Sequence, residues 1–356
     1  MRRAFQALLV AATLVAAVIP LPSLWVEHRY AQGVYLAWQR VATPASNALP
    51  FAAFDLIVVG LGLGLLTMWV RAVREARRGR RWTPVGVGAW RTAVLLAVVY
   101  LWFAGSWGLN YQRASMLTRL GVPARSPSTE AVEALGDDAV TRLNALDEAA
   151  HAEGWPAESE RPLALMDGYA AVQRRLVPGA ATAVAGRPKR TLFGPWFRWT
   201  SVDGMVDPFA LEVLVNPDLL PVERPFVAAH EWGHLAGYAD ESEASFVGFL
   251  TCLEGGPAAE YSAWLALYWS VAAELPRASA ERLAASLEPR PRADLGAIAA
   301  RIQRGALPGL RRASWEVYDQ YLRANRVEGG IRSYGLVIRL VVGTRPMWDH
   351  VAGSRQ

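Results

Sequence analysis

Residues 225–246 read PFVAAHEWGHLAGYADESEASF, and His230-Glu231-Trp232-Gly233-His234 at their centre decides how the rest of the chain is read. On a helix, positions i and i+4 share one face. Two imidazoles at that spacing can grip one zinc ion, with the Glu231 carboxylate beside the metal's open position. Pro217 and Pro221 stop whatever precedes, Pro225 suits a first helical turn, and Phe226, Val227, Ala229, Trp232 and Leu235 give a core an apolar stripe. The stretch predicts a metal-bearing helix with His230 and His234 as ligands and Glu231 as general base.

Gly237 then permits a reversal, and a second helix opens at Asp240-Glu241-Ser242-Glu243, offering three carboxylates for the third ligand. Asp240 suits the N-cap and Glu243 its capping-box partner. Glu241 has no local structural task and is the expected ligand. It also starts a Glu241-x-x-Ala244-Ser245 pattern that resembles the E-x-x-A-D/N helix of the zinc peptidases called gluzincins, whose Glu binds zinc. Ser245 stands where an Asp or Asn would orient a ligand histidine. A metzincin-like reading with Asp240 as ligand lacks a methionine turn, since the only later methionine is Met347.

Three apolar stretches in the N-terminal third, about 4–25, 51–70 and 92–108, approach the ~20 residues that cross a bilayer. They predict a transmembrane region over 1–109, with the lipid bilayer as a partner, followed by a domain over 110–356. Arg2 and Arg3 would also suit a signal peptide, but Pro20 and Pro22 end the first stretch without a small-x-small cleavage site. The segment 71–91 carries Arg71, Arg74, Arg77, Arg78, Arg80 and Arg81, against Arg29 and Arg40 between the first two stretches. The positive-inside rule makes the arginine-rich loop and the N-terminus cytoplasmic, and puts the C-terminal domain outside. That loop accounts for most of the net charge of +5, so no nucleic acid is implied. The single cysteine, Cys252, can form no internal disulfide and reads as buried filler.

The remainder predicts a mainly α domain with a small β-sheet, an α+β class. Thr129–Glu153 and Arg161–Leu176 look amphipathic, Gly179–Lys189 reads as a loop, and Thr191–Val215 has strand character that an extended peptide could pair with. The apolar run after Tyr261 and the one over Tyr334–Val342 are too short or interrupted for spans and read as core helices.

Beyond the motif, Trp107-Gly-Leu-Asn110-Tyr111-x-Arg113, Asp207-Pro208-Phe209, Tyr261-Ser262, Tyr321-Leu-Arg-Ala-Asn325-Arg326, Gly330 and Ser333-Tyr334-Gly335 stand along nearly the full length. Together they resemble a family of bacterial three-span membrane proteins known only as a domain of unknown function, DUF3810. The resemblance implies a bacterial inner-membrane protein and places Tyr261 in a family motif, as a catalytic candidate for holding the oxyanion; Asn110, Tyr111, Asn325 and Arg326 have similar standing. Members commonly carry Asn at the position of Ser245. Zn2+ on His230, His234 and Glu241 would lower a water's pKa to roughly 7, and Glu231 would move its proton. The expected activity is hydrolysis of a peptide or protein substrate, including those of the cell envelope. The alternative is a non-catalytic membrane scaffold or sensor with a retained zinc-binding domain, but a structural zinc needs no general base. An intramembrane protease is disfavoured because acidic residues follow the motif at once. His28, His151 and His350 are read as non-ligands.

Overall fold

The computed structural model describes residues 2–123, 125–325 and 336–348. Two of its helices, Ala53–Gly79 and Thr83–Ser106, are long and apolar enough to cross a membrane. Arg2–Val18 makes a third if it is counted with the helical stretch Ser23–Ala48, from which it is bent by 107°. The second span continues to Gly79, so Arg71, Arg74, Arg77 and Arg78 extend that helix rather than forming a loop. The turn to the next helix is confined to 80–82, with Arg80 left-handed at φ 47°.

The Ser23–Ala48 stretch, a π-helix over Val26–Tyr35 flanked by α-helical turns, lies where the sequence suggests a loop. One side of it, including Val26, Tyr30, Tyr35 and Leu36, joins the same hydrophobic core as Leu143, Trp232 and Trp264. Packing therefore crosses the expected boundary at Asn110.

Thr129–Glu153 is helical over the expected residues, capped by the Ser128 hydroxyl. It packs along Pro257–Glu274, which buries Tyr261, Trp264 and Leu265 as a core helix. Leu163–Leu176 crosses the helix Glu241–Leu253. Leu336–Gly343 also buries its apolar face; Arg326, Gly330, Ser333, Tyr334, Gly335 and His350 lie outside the described residues.

A mixed three-stranded sheet has β1 (Pro188–Lys189) parallel to the central β3 (Glu212–Val215), and β2 (Gly204–Asp207) antiparallel on the other edge. Only the end of the segment 191–215 forms strands. Gly194–Thr200 is instead a short helix opened by Pro195, and buries Phe197 against Leu214. The Asp207 carboxylate accepts the amides of Phe209 and Ala210, closing the β2–β3 turn. At the sheet centre Lys189 and Glu212 form a buried ion pair of 2.7 Å. Lys189 Nζ also donates to Ser46 O and Phe51 O, while Glu212 accepts Phe54 N at 2.8 Å, so the sheet is fixed to the outset of the second span.

Candidate metal centre

The helix Arg224–Leu235 and its successor Glu241–Leu253 approach backbone to backbone. A Cβ built at Gly233 would lie 2.8 Å from Ala244 O, and one at Gly248 would lie 2.9 Å from His230 N. Side chains at either position would force the helices apart. Gly237, at φ 82°, makes the tight reversal between them. That closeness sets Glu241 opposite the two histidines.

His230, His234 and Glu241 bring one ligand atom each to within 4.8 Å of one another. Nε2 of His230 lies 3.3 Å, and Nε2 of His234 3.5 Å, from Glu241 Oε2. Tetrahedral zinc with bonds of 2.0–2.1 Å spaces its ligand atoms by roughly 3.3 Å, which the two His–Glu separations match. The other ring nitrogens are already occupied. His234 Nδ1 lies 2.8 Å from Tyr238 O; a carbonyl only accepts, so Nδ1 carries the hydrogen and Nε2 is left to face Glu241. His230 Nδ1 lies 3.1 Å from the hydroxyl of Ser245, the residue where an Asp or Asn stands in the E-x-x-A-D/N pattern.

The carbonyls ending the motif helix are held by distant donors. Tyr169 Oη donates to Trp232 O, Tyr35 Oη to Leu235 O, and Arg113 to the carbonyls of Ala236 and Gly237. Arg113 in turn pairs with buried Glu27 at 2.8 Å and covers the Tyr238 ring. The His234 ring is edged by Trp107, with centroids 6.4 Å apart.

Glu231 is buried beside this trio, and its Oε2 has no hydrogen-bond partner. Gly204 at the start of β2 leaves room for it, since a Cβ there would lie 2.5 Å from Glu231 Oε1. Burial pushes the Glu231 carboxyl up to about 7 against the opposing pull of His230 and His234. Burial would lower His234, but Glu241 and Glu231 overcome it and carry the imidazole to about 9. Burial likewise opposes ionisation of Glu241, and the two histidines hold its carboxylate well below the usual range.

Asp240 caps its helix, accepting from the amides of Ser242 and Glu243. Glu243 makes no reciprocal capping bond; it accepts Met116 N at 2.5 Å instead. Burial raises its carboxyl to about 7, against the favourable charge of Arg119. The hydroxyl of Tyr261 donates to Asp294 at 2.7 Å, and its ring packs on His151 and Trp155, outside the trio. The tyrosine that does reach the trio is Tyr318, which donates to Glu241 Oε1 from the helix Pro308–Ala324. Tyr111 stands between Trp107 and Tyr321 behind it. Asn110 is buried against Gly237, and Asn325 bonds Tyr321 O. His151 pairs with Asp147 and Asp294 away from the trio, and Cys252 is buried.

The family profile described as Protein of unknown function (DUF3810) matches residues 30–342. The chain belongs to this family. Its matched region starts inside the bent helical stretch at Tyr30 and takes in the trio, Ser245 and Tyr318, so the DUF3810 region includes both the candidate membrane helices Ala53–Gly79 and Thr83–Ser106 and the candidate metal centre. No protein of curated function and no solved structure matches the chain.

Proposed function

We propose that the chain is a membrane-anchored zinc metallopeptidase, of gluzincin-like build, whose catalytic domain lies outside the cytoplasm of a bacterial cell. The observation that carries this reading is Glu231: a buried carboxylate with an unpartnered oxygen beside a convergent His-His-Glu donor set. A metal held only for structure gives such a group nothing to do.

His230, His234 and Glu241 would hold the ion, with Ser245 and the Tyr238 carbonyl fixing the imidazoles. Zinc bound there supplies Lewis acidity and lowers the pKa of a water to roughly 7. Glu231 would take a proton from the attacking water and deliver it to the leaving amine, a role suited to a carboxyl near neutrality. Tyr318 aligns Glu241 through its hydroxyl. The outer edge of β2 starts at Gly204 beside Glu231, so an extended peptide paired there passes the base. The arginines over 71–81 support a cytoplasmic turn between the second and third membrane helices. Metal analysis of the purified chain, together with cleavage of a peptide library by wild type and Glu231→Gln, tests the assignment.

A further inference from the structure

The height of the metal centre above the bilayer narrows its substrate. Arg2–Val18 and Thr83–Ser106 run side by side in the same direction. Gln6 accepts from Trp90 Nε1 at 2.9 Å, Thr13 Oγ1 reaches Ala97 O at 3.4 Å, and Leu21 N donates to Gln112 at 2.8 Å. The first helix therefore ends at the membrane face where the third ends at Ser106. The second span begins at that face too, since Phe54 N bonds Glu212 of the sheet while Ser106 Oγ bonds Pro208 O.

Ser23–Ala48 joins these points at 107° to the first helix, a near-right-angle turn that lays this helical stretch across the outer ends of the spans. Its two sides differ. One is buried in the core, whereas Leu24, Trp25, Val34 and Val41 on the other are 67%, 49%, 64% and 63% exposed. That apolar side is flanked by exposed Arg29 and Arg40; just beyond the stretch Phe51 is exposed, and the spans expose Leu56 and Trp102, whose ring meets Trp38 of the stretch. Apolar residues with flanking arginines beside transmembrane helices suit the acyl–headgroup boundary of an anionic bilayer.

The metal centre sits directly on this platform. Trp107, the first residue beyond the third span, edges His234, and Tyr35 of the platform bonds the last turn of the motif helix. Phe103 inside that span contacts Tyr321, which stacks on Tyr318, the donor to Glu241. One or two side chains separate the ligands from the membrane helices.

We propose that Ser23–Ala48 lies in the bilayer surface and that the centre cleaves juxtamembrane segments of membrane-anchored polypeptides, within the first few residues outside the bilayer. The proposal rests on the zinc-peptidase reading. Hydrolysis adds the water oxygen to the carbonyl carbon as the C–N bond breaks, and the water's protons end on the new amine and carboxyl, so no co-reactant is needed. A bulky soluble protein meets the bilayer before its chain reaches the ligands. Five residues of extended strand reach ~17 Å, and a tether that short raises the local concentration to the millimolar range.

Two measurements on the full-length zinc-loaded protein, in vesicles of phosphatidylethanolamine and phosphatidylglycerol, test this. In the first, a randomised peptide segment is offered free, or joined to a transmembrane anchor by spacers of about 5, 10 and 30 residues; the shortest spacer should be cut about 100-fold more efficiently than the free segment. Equal rates for free and anchored segments, or rates indifferent to spacer length, overturn the substrate class. In the second, Val34→Cys carries a fluorophore, the native Cys252 being buried. Lipids with shallow nitroxides should quench it and aqueous iodide should not; the reverse overturns the platform. If Val34 lies in lipid and zinc is bound, yet nothing is cleaved, the peptidase reading and the substrate class fall while the membrane placement stands.

Discussion

The Ser245 hydroxyl lies 3.1 Å from Nδ1 of His230, across the ring from the nitrogen that faces Glu241. A partner there fixes the rotation of the imidazole and raises the basicity of its other nitrogen. Ser245→Ala should keep the fold and lower zinc affinity by about 10- to 100-fold, measured by competition with a chelator. Ser245→Asn, with an acceptor at similar reach, should restore it. Unchanged affinity in the alanine variant would mean that helix packing alone holds the ring.

Metal affinity should depend on pH with a definite sign. In the metal-free protein His234 is raised from 6.5 to about 9, and zinc takes only the neutral ring, so binding below pH 9 expels a proton. Affinity should climb by about tenfold per pH unit from 7 towards 9 and then flatten. Stability of the metal-free form should move the other way. A base raised on folding stabilises fully below its unfolded value of 6.5, and that contribution is lost as pH rises through about 9. Glu231, an acid raised from 4.5 to about 7, adds a further loss over that lower window. Calorimetry in two buffers of different ionisation heat reads the expelled proton; binding without proton release at pH 7.5 would contradict the assignment.

The motif helix, its successor and the N-cap at Asp240 were legible because they depend on residues within a turn or two. Long-range partners were not. Glu243 suits a capping box locally, yet its carboxylate is taken by Met116, 127 positions away. Tyr318 reaches Glu241 across 77 positions, and nothing in its surroundings in the sequence marks it. The stretch 26–48 reads as a loop because its buried side carries Glu27, Gln39 and Thr43 along with apolar residues. Gln39 and Thr43 meet backbone carbonyls, and Glu27 meets Arg113 and Arg119, in parts of the chain far off in sequence. The aromatic run Trp196–Trp199 favours a strand by composition, but Pro195 and the packing of Phe197 make it a helix.

Gly233→Ala should separate the two site helices. The added methyl would meet Ala244 O at 2.8 Å and its Cα at 2.9 Å, backbone atoms that cannot rotate away. A loss of roughly 1–3 kcal/mol is expected from such overpacking, together with loss of zinc as Glu241 is displaced. Gly296→Ala, at an exposed position inside the helix Pro289–Gly305 with nothing within 4 Å, is the control and should be neutral or stabilising by up to about 1 kcal/mol. Thermal melts and zinc stoichiometry separate the two. A Gly233→Ala protein that melts like wild type and retains its zinc would remove close approach as the reason for glycine.

The arginines of 71–81 predict opposite sides for the 80–82 turn and the domain after Ser128. Reporter fusions after Arg81 and after Ser128 should give cytoplasmic and extracytoplasmic signals respectively. Two cytoplasmic signals would invert the proposed placement of the metal centre.

The last prediction separates catalysis from coordination. Glu231→Gln and Glu241→Gln each remove one negative charge from the same buried site, but only Glu241 shares an oxygen with both histidines. Glu231→Gln should keep zinc and lose turnover by a factor of ~100 or more, as for a general base. Glu241→Gln should release zinc, with activity partly recovered when the metal is added in excess. Tyr318→Phe, which removes the donor to Glu241, should weaken zinc binding less than Glu241→Gln does. Asp240→Ala should cost about 1 kcal/mol of capping stability. Glu243→Gln should leave zinc in place, because an amide oxygen still accepts Met116 N. Zinc lost from Glu243→Gln and retained by Glu241→Gln would exchange the roles of the two carboxylates, and full turnover by Glu231→Gln would end the general-base assignment.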